Sequence, residues 1–204
     1  MDHDFDGYVP DRTHFCSGSI IDQNWIISAA HCFVDDDDAN EVKIMSAKDR
    51  IIGFSNEIVI HPDFIPDPKF NYYNGQNDLA LVKTEKPIQM NAFTQPIGLA
   101  RLGAFGSTAI ITAYENYKYT TSEFPLEDVV VVNQCTCAPN DSFILCAQSE
   151  IYVESSVSGA ALKTDDGLVG IVSANEMLST GEKYFIVDIS FHLDWIQEVT
   201  KKTF

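Results

Sequence analysis

A chain of 204 residues, 45% of them hydrophobic, can bury one large core or two small lobes that share one, and its composition is not that of a disordered segment. A formal net charge of −17 and a pI of about 4.4 exclude the broad basic surface expected of a nucleic-acid-binding protein. No run approaches the ~18 apolar residues that a membrane span requires, so no span is expected.

In chain order, the opening "MDHDFDGYVPDRTHF" is acidic and has no apolar segment, so it does not read as a signal peptide. Strand-like runs follow: "FCSGSII" (15–21), "WIISAA" (25–30), "IIGFSNEIVI" (51–60) and "DLALVKT" (78–84). The four consecutive aspartates 35–38 read as a solvated loop, since adjacent carboxylates alone do not supply a calcium cage. "FNYYNGQ" (70–76) is a surface loop, or else the border of a cleft. The stretch 91–107 is rich in Gly, Pro and small residues and reads as a connection.

A second cluster of strands comes after it: "STAIITAY" (107–114), "EDVVVVN" (127–133), "SFILCAQ" (142–148), "GLVGIVSA" (167–174) and "KYFIVDIS" (183–190). Many short strands between regular turns point to an all-β barrel or sandwich. "FHLDWIQEVTKK" (191–202) has Phe191, Trp195, Ile196 and Val199 at helical spacing; Ser190 could cap it, and Lys201 and Lys202 suit its end. Trp25 and Trp195 read as packing residues, His14 as structural or exposed, His61 as part of a loop turn and His192 as an early helical position, neither of the last two with ligand-like company. The five cysteines, Cys16, Cys32, Cys135, Cys137 and Cys146, are an odd number, so pairing within the chain leaves a thiol over. Cys135-Thr136-Cys137 lacks the usual zinc spacing and a fourth ligand, and no metal is assigned.

Three residues in flanks of strands carry chemistry together. His31 lies in "SAAHC", Asp78 in "NDLALVK" and Ser158 in "SVSGAAL". A serine hydroxyl is a poor nucleophile at neutral pH. An imidazole can take its proton and return it to a leaving amine, and a buried carboxylate can hold that imidazole in the productive tautomer. The order His, Asp, Ser narrows the possibilities further.

With these residues in view, "HFCSGSIIDQNWIISAAHC" resembles the histidine region of the trypsin/chymotrypsin-like serine proteases, and "NDLALVK" resembles their aspartate region. "GLVGIVS" and "DWIQEV" are similar to their C-terminal half. The resemblance implies two six-stranded antiparallel barrels and a C-terminal helix, with a cleft between the barrels. It places the N-terminal barrel at about 1–95, a linker at about 96–106, the C-terminal barrel at about 107–190 and the helix at about 191–202. It implies His31 as general base, Asp78 as its orienting partner and Ser158 as nucleophile. It pairs Cys16 with Cys32, and Cys146 with Cys135 or Cys137. It further implies a secreted, monomeric chain that meets a protein or peptide as substrate or binding partner, with no cofactor.

Around Ser158 the pattern changes. The family loop Gly-Asp-Ser-Gly-Gly-Pro corresponds to Ser156-Val157-Ser158-Gly159-Ala160-Ala161. Val157 stands where the family has an aspartate that pairs with a newly exposed α-amino group, and the matching Ile-Val-Gly-Gly-like start is not in this sequence. Ser156, expected to share the oxyanion hole with Ser158, replaces a glycine. The specificity pocket falls at Tyr152, Ser173 and Ala174. Tyr152 stands near the place of the acid that selects Lys or Arg, so cleavage after those residues is not expected. A cysteine of the family is replaced near Glu154. The strand that normally precedes "HFC" is short or missing, which would expose a sheet edge. Peptide-bond hydrolysis that is weak or lost is therefore the expected activity, and a non-catalytic binding or regulatory module is the alternative.

Overall fold

The computed structural model describes residues 16–34, 42–46, 50–66, 76–92, 94–101, 108–114, 127–136, 143–150 and 157–204. The first half is a five-stranded antiparallel sheet built from β1 (Ser19–Asp22), β2 (Trp25–Ser28), β3 (Lys43–Ser46), β4 (Arg50–Ile60) and β5 (Ala80–Thr84). Its order is β1-β2-β5-β4-β3. β1 and β2 form a hairpin over Gln23-Asn24, where the Asn24 N–H donates to Asp22 Oδ1 at 2.9 Å, an Asx turn.

The second half is a closed six-stranded barrel. Its strands are β6 (Thr108–Tyr114), β7 (Glu127–Cys135), β8 (Ile144–Ser149), β9 (Ala161–Thr164), β10 (Gly167–Leu178) and β11 (Gly181–Asp188). Closure runs β10-β11-β8-β7-β6-β9, which leaves no strand of the barrel unpaired. The mostly β architecture with a C-terminal helix is the fold that the sequence reading expected. Among the described residues the first half is an open sheet, with β1 and β3 at its edges. Residues 1–15, where a further strand would precede β1, lie outside the described residues.

Two core clusters explain why the halves stay together. Inside the barrel, Ile111, Val132, Leu162, Val169, Val172, Tyr184 and Ile186 pack with Val157 and Ala160. On the opposite face of the same strands, Leu168, Ile171 and Val187 pack with Ile27, Leu79 and Leu81 of the sheet and with Ile196 of the helix. β10 is thus buried on both faces from Leu168 to Ala174, which is why it reads as a continuous apolar run rather than an alternating one. Each fully buried aliphatic side chain contributes about 1.5–3 kcal/mol of transfer free energy.

The helix α1 spans Leu193–Thr200, shorter than expected, and a 3₁₀ turn at Ile189–Phe191 precedes it. Ser190 is not its cap. Asp188 accepts from the Ser190 N–H at 2.8 Å and caps the 3₁₀ turn, while His192 precedes α1 without a side-chain cap. The short strands β3 and β9 have no counterpart among the runs read from the sequence. Each has four residues and few large apolar ones, so it depends on its neighbour for pairing.

Candidate functional site

The site lies where the sheet meets the barrel. β2 stops at Ser28, and Ala30–Phe33 forms a 3₁₀ turn instead of continuing the strand. Ala30 and Phe33 are buried, which leaves His31 facing outward at intermediate exposure. The Cys16–Cys32 disulfide, with a Cα–Cα distance of 6.3 Å, ties this turn to the segment before β1, as the resemblance implied.

Asp78 enters β5 from Asn77, whose φ is +60°. Leu79, fully buried, anchors the segment in the core, and Asp78 itself is 2% exposed. The Asp78 carboxylate receives two bonds from one residue. His31 N–H donates to Oδ1 at 2.8 Å, and His31 Nδ1 lies 2.7 Å from Oδ2. With Nδ1 occupied by Asp78, the neutral ring presents Nε2 as its acceptor, the tautomer a general base needs.

Ser173, expected in a pocket wall, donates its hydroxyl to Asp78 Oδ2 at 2.5 Å. A β-bulge between Val172 and Ala174 produces this orientation, since it interrupts the alternation of β10 and frees one side chain to point toward the sheet. Nothing in residue type distinguishes this serine in the sequence. A serine directly after the apolar run of a doubly buried strand was the available signal.

Ser158 sits in a tight turn over Val157–Ala160, closed by Ala160 N–H to Val157 O at 2.9 Å. Its carbonyl accepts from Ser17 N–H at 2.8 Å, and Gly159 N–H donates to Val172 O at 2.8 Å. The turn is therefore held between the segment before β1 and strand β10. Gly159 has φ +77°, and a Cβ there would lie 2.1 Å from Ser17 O and 2.5 Å from Ser28 Oγ, so only glycine fits. Ser158 is intermediate in exposure. Among the described residues no hydrogen bond joins it to His31, whose Nε2 has Cys32 Sγ 3.9 Å away.

Val157 is 2% exposed and belongs to the barrel core. Ser156, Tyr152 and Glu154 lie outside the described residues. Ala174 packs with Cys146 and Phe185. Cys146 is disulfide-bonded while Cys135 is free, so the pairing of these two cross-strand neighbours is excluded. Cys137 lies outside the described residues. Burial raises the Cys135 thiol above its usual range. The sulfurs of Cys16 and Cys32 lie within 4.8 Å of a His31 ring nitrogen, but both are in the disulfide and offer no thiolate to a metal.

His61, expected in a loop turn, and His192, expected early in the helix, meet each other. Their rings stand edge to face with centroids 5.0 Å apart, and Trp195 lies 4.6 Å from His61. His61 N–H donates to Leu79 O at 2.9 Å, one residue from Asp78.

A sequence model of the Trypsin family matches residues 4–196. Trypsin-2 of Salmo salar is 30% identical over 111 residues, which cover 54% of this chain and 47% of the relative. Trypsin of Sus scrofa is 28% identical over 138 residues, covering 67% of this chain and 56% of the relative. The chain thus spans about half the length of the curated relatives it matches. The solved structure of neuropsin, a serine protease expressed in mouse brain, superimposes with a TM-score of 0.72 at 18% identity, covering 91% of this chain and 89% of that one. At that identity the likeness concerns the fold.

Proposed function

The chain belongs to the trypsin family, and from that premise we propose that it is a serine protease homologue in which peptide-bond hydrolysis through an acyl-enzyme is weak or lost. The roles are those of His31 as base, Asp78 as its orienting carboxylate and Ser158 as nucleophile. In the reaction that these groups support, Ser158 Oγ attacks the substrate carbonyl carbon as His31 Nε2 takes its proton. Asp78 stabilises the resulting imidazolium, and the hydroxyl of Ser173 holds Asp78 in place. His31 then delivers the proton to the departing amine. Water, deprotonated by His31, cleaves the ester that remains.

The observation that carries the reduced activity is Val157, buried in the barrel core one residue before the nucleophile. A valine cannot form the ion pair that an aspartate at that position makes with an α-amino group. The backbone beside Ser158 is instead set by apolar packing. Loss of one oxyanion donor typically lowers the rate by about 10²–10³.

The substrate or binding partner is a protein or peptide, and the setting is extracellular, in keeping with the disulfides. The alternative, a purely binding or regulatory module, rests on the same Val157 and on the lack of a Ser158–His31 hydrogen bond among the described residues.

A fluorophosphonate probe tests the reading. Labelling of Ser158 is expected to be at least a hundredfold slower than that of an active trypsin. Rapid stoichiometric labelling that disappears in Ser158→Ala would overturn it.

A further inference from the structure

A carbonyl attacked by Ser158 belongs to a residue whose side chain needs space beside the Ser158 turn. One flank of that turn is taken by Ser17 and Ser28, which crowd Gly159 to within 2.1 and 2.5 Å of where a Cβ would be. The other flank is the β10–β11 hairpin, where Asn175 pairs with Tyr184. The contents of this flank are unusual for a protein interior. Tyr184 is fully buried and packs in one cluster with Val157, Ala160 and Val172, the residues that surround Ser158 and Gly159. Its hydroxyl donates to Glu182 Oε2 at 2.8 Å. Glu182 is a carboxylate only 2% exposed, and the amide of Asn175 donates to its Oε1.

A buried carboxylate in a barrel core costs several kcal/mol unless it is hydrogen-bonded. Among the described residues Glu182 accepts from Tyr184 and from Asn175, both on the same hairpin. Its effect is to fix the phenol ring. Alternation along β11 puts Glu182, Tyr184 and Ile186 on one buried face, and after the bulge at Ser173 the exposed Asn175 stands opposite Tyr184 in the register. The hairpin cannot easily swing away. Gly181, just before Glu182, has φ +139°, and a Cβ there would lie 2.0 Å from Ser149 O, so β11 begins in close backbone contact with the end of β8.

We propose that Tyr184, fastened by Glu182 and Asn175, occupies the space beside Ser158 that a substrate side chain would need, so that the site as folded is closed to large side chains by a residue of its own. The inference deepens the reading of weak or lost hydrolysis, and rests on it only in taking Ser158 as the place of the substrate carbonyl. It makes Tyr184 a specificity-determining residue. A partner then binds through its backbone or through small side chains.

Capped tripeptide amides ending in phenylalanine or in glycine test this by NMR titration of the intact chain, with free phenol as a third probe. The unaltered protein is expected to bind the two peptides within threefold of each other. Tyr184→Gly, or Tyr184→Ala if the first variant does not fold, is expected to favour the phenylalanine peptide at least tenfold. A tenfold preference for phenylalanine in the unaltered protein overturns the proposal, whatever the variants do. So does a folded variant that binds free phenol but not the peptide-borne ring, because the vacated space would then be a sealed core cavity. Rapid fluorophosphonate labelling together with indifference to the ring would overturn the reduced-activity reading and leave this proposal standing.

Discussion

The two halves of the site were put together under different constraints. On the sheet side, His31 and Asp78 are joined by two hydrogen bonds of 2.8 and 2.7 Å, with a third to Asp78 from Ser173. Both oxygens of the Asp78 carboxylate are satisfied, and the His31 ring is held through Nδ1. On the barrel side, the residue before Ser158 is a core valine, the residue after it is a glycine pressed against Ser17, and the neighbouring strand brings in a buried tyrosine. One half is held by side-chain and backbone hydrogen bonds that converge on a single carboxylate, the other by backbone hydrogen bonds of the Ser158 turn laid over an apolar core. The difference teaches that a polar pair and the turn that faces it can rest on different physical supports within one site.

The sharpest way to break this comparison is to return a charge to the barrel side. Val157→Asp is expected to destabilise the chain by roughly 3–5 kcal/mol, as an uncompensated buried carboxylate does. Thermal or denaturant unfolding reads this as a large fall in midpoint. An unchanged midpoint would mean that a partner cation is present and that the barrel side is less apolar than described.

Gly159→Ala follows, at about 3 kcal/mol, because positive φ and a clash with backbone oxygen act together. Denaturant unfolding of this variant, set beside Ala160→Gly as a control, checks that the strain belongs to the turn.

A titration sharpens the sheet side. His192 is 4% exposed, and among the described residues its Nε2 has no hydrogen-bond partner. Burial, and then the neighbouring His61, lower its pKa to about 4. Burial also lowers His61, with Asp63 opposing. An unfolded His192 titrates at its ordinary value of 6.5, so below that pH the unfolded chain holds a proton that the folded chain refuses. The stabilisation is present above pH 6.5 and is lost as the pH falls toward 4, by up to roughly 3 kcal/mol. Denaturant midpoints between pH 7 and pH 4 should fall, and His192→Phe should flatten that slope. An equal slope in the variant would assign it to other groups.

Ser173→Ala removes one donor from Asp78, and about 1 kcal/mol of stability should go with it. The smallest effect belongs to Lys83→Ala. Its ion pair with Glu57 joins two half-exposed side chains, 41% and 51%, and its loss should change stability by about 0.5 kcal/mol or less.

Legibility in the sequence divides along the same line. His31 and Asp78 were readable because each sits at the end of an apolar run that fixes its place on the sheet. The barrel strand β10 was readable for a similar reason, since Leu168–Val172 is an unbroken apolar run of the kind that is buried on both faces. β3 and β9 were not readable, being four-residue segments whose pairing comes from β4, β6 and β10 rather than from their own composition. The helix start was misplaced by a local signal. Ser190 is a good cap in isolation, but Asp188, two residues earlier, captured its N–H and drew the chain into a 3₁₀ turn.

By itself the sequence determined the family, the mostly β fold, the candidate nucleophile, base and carboxylate, and a valine in the position before the candidate nucleophile. These are properties of residue type at a position in the chain. Tertiary structure decided that Ser173 serves Asp78, that Cys135 is the free partner of a strand pair, that His61 and His192 meet, and that Tyr184 joins Val157 and Ala160 in one core. Each depends on a bulge, a strand register or the meeting of sheet and barrel. Those follow from how whole faces pack together, which spacing along a chain does not specify.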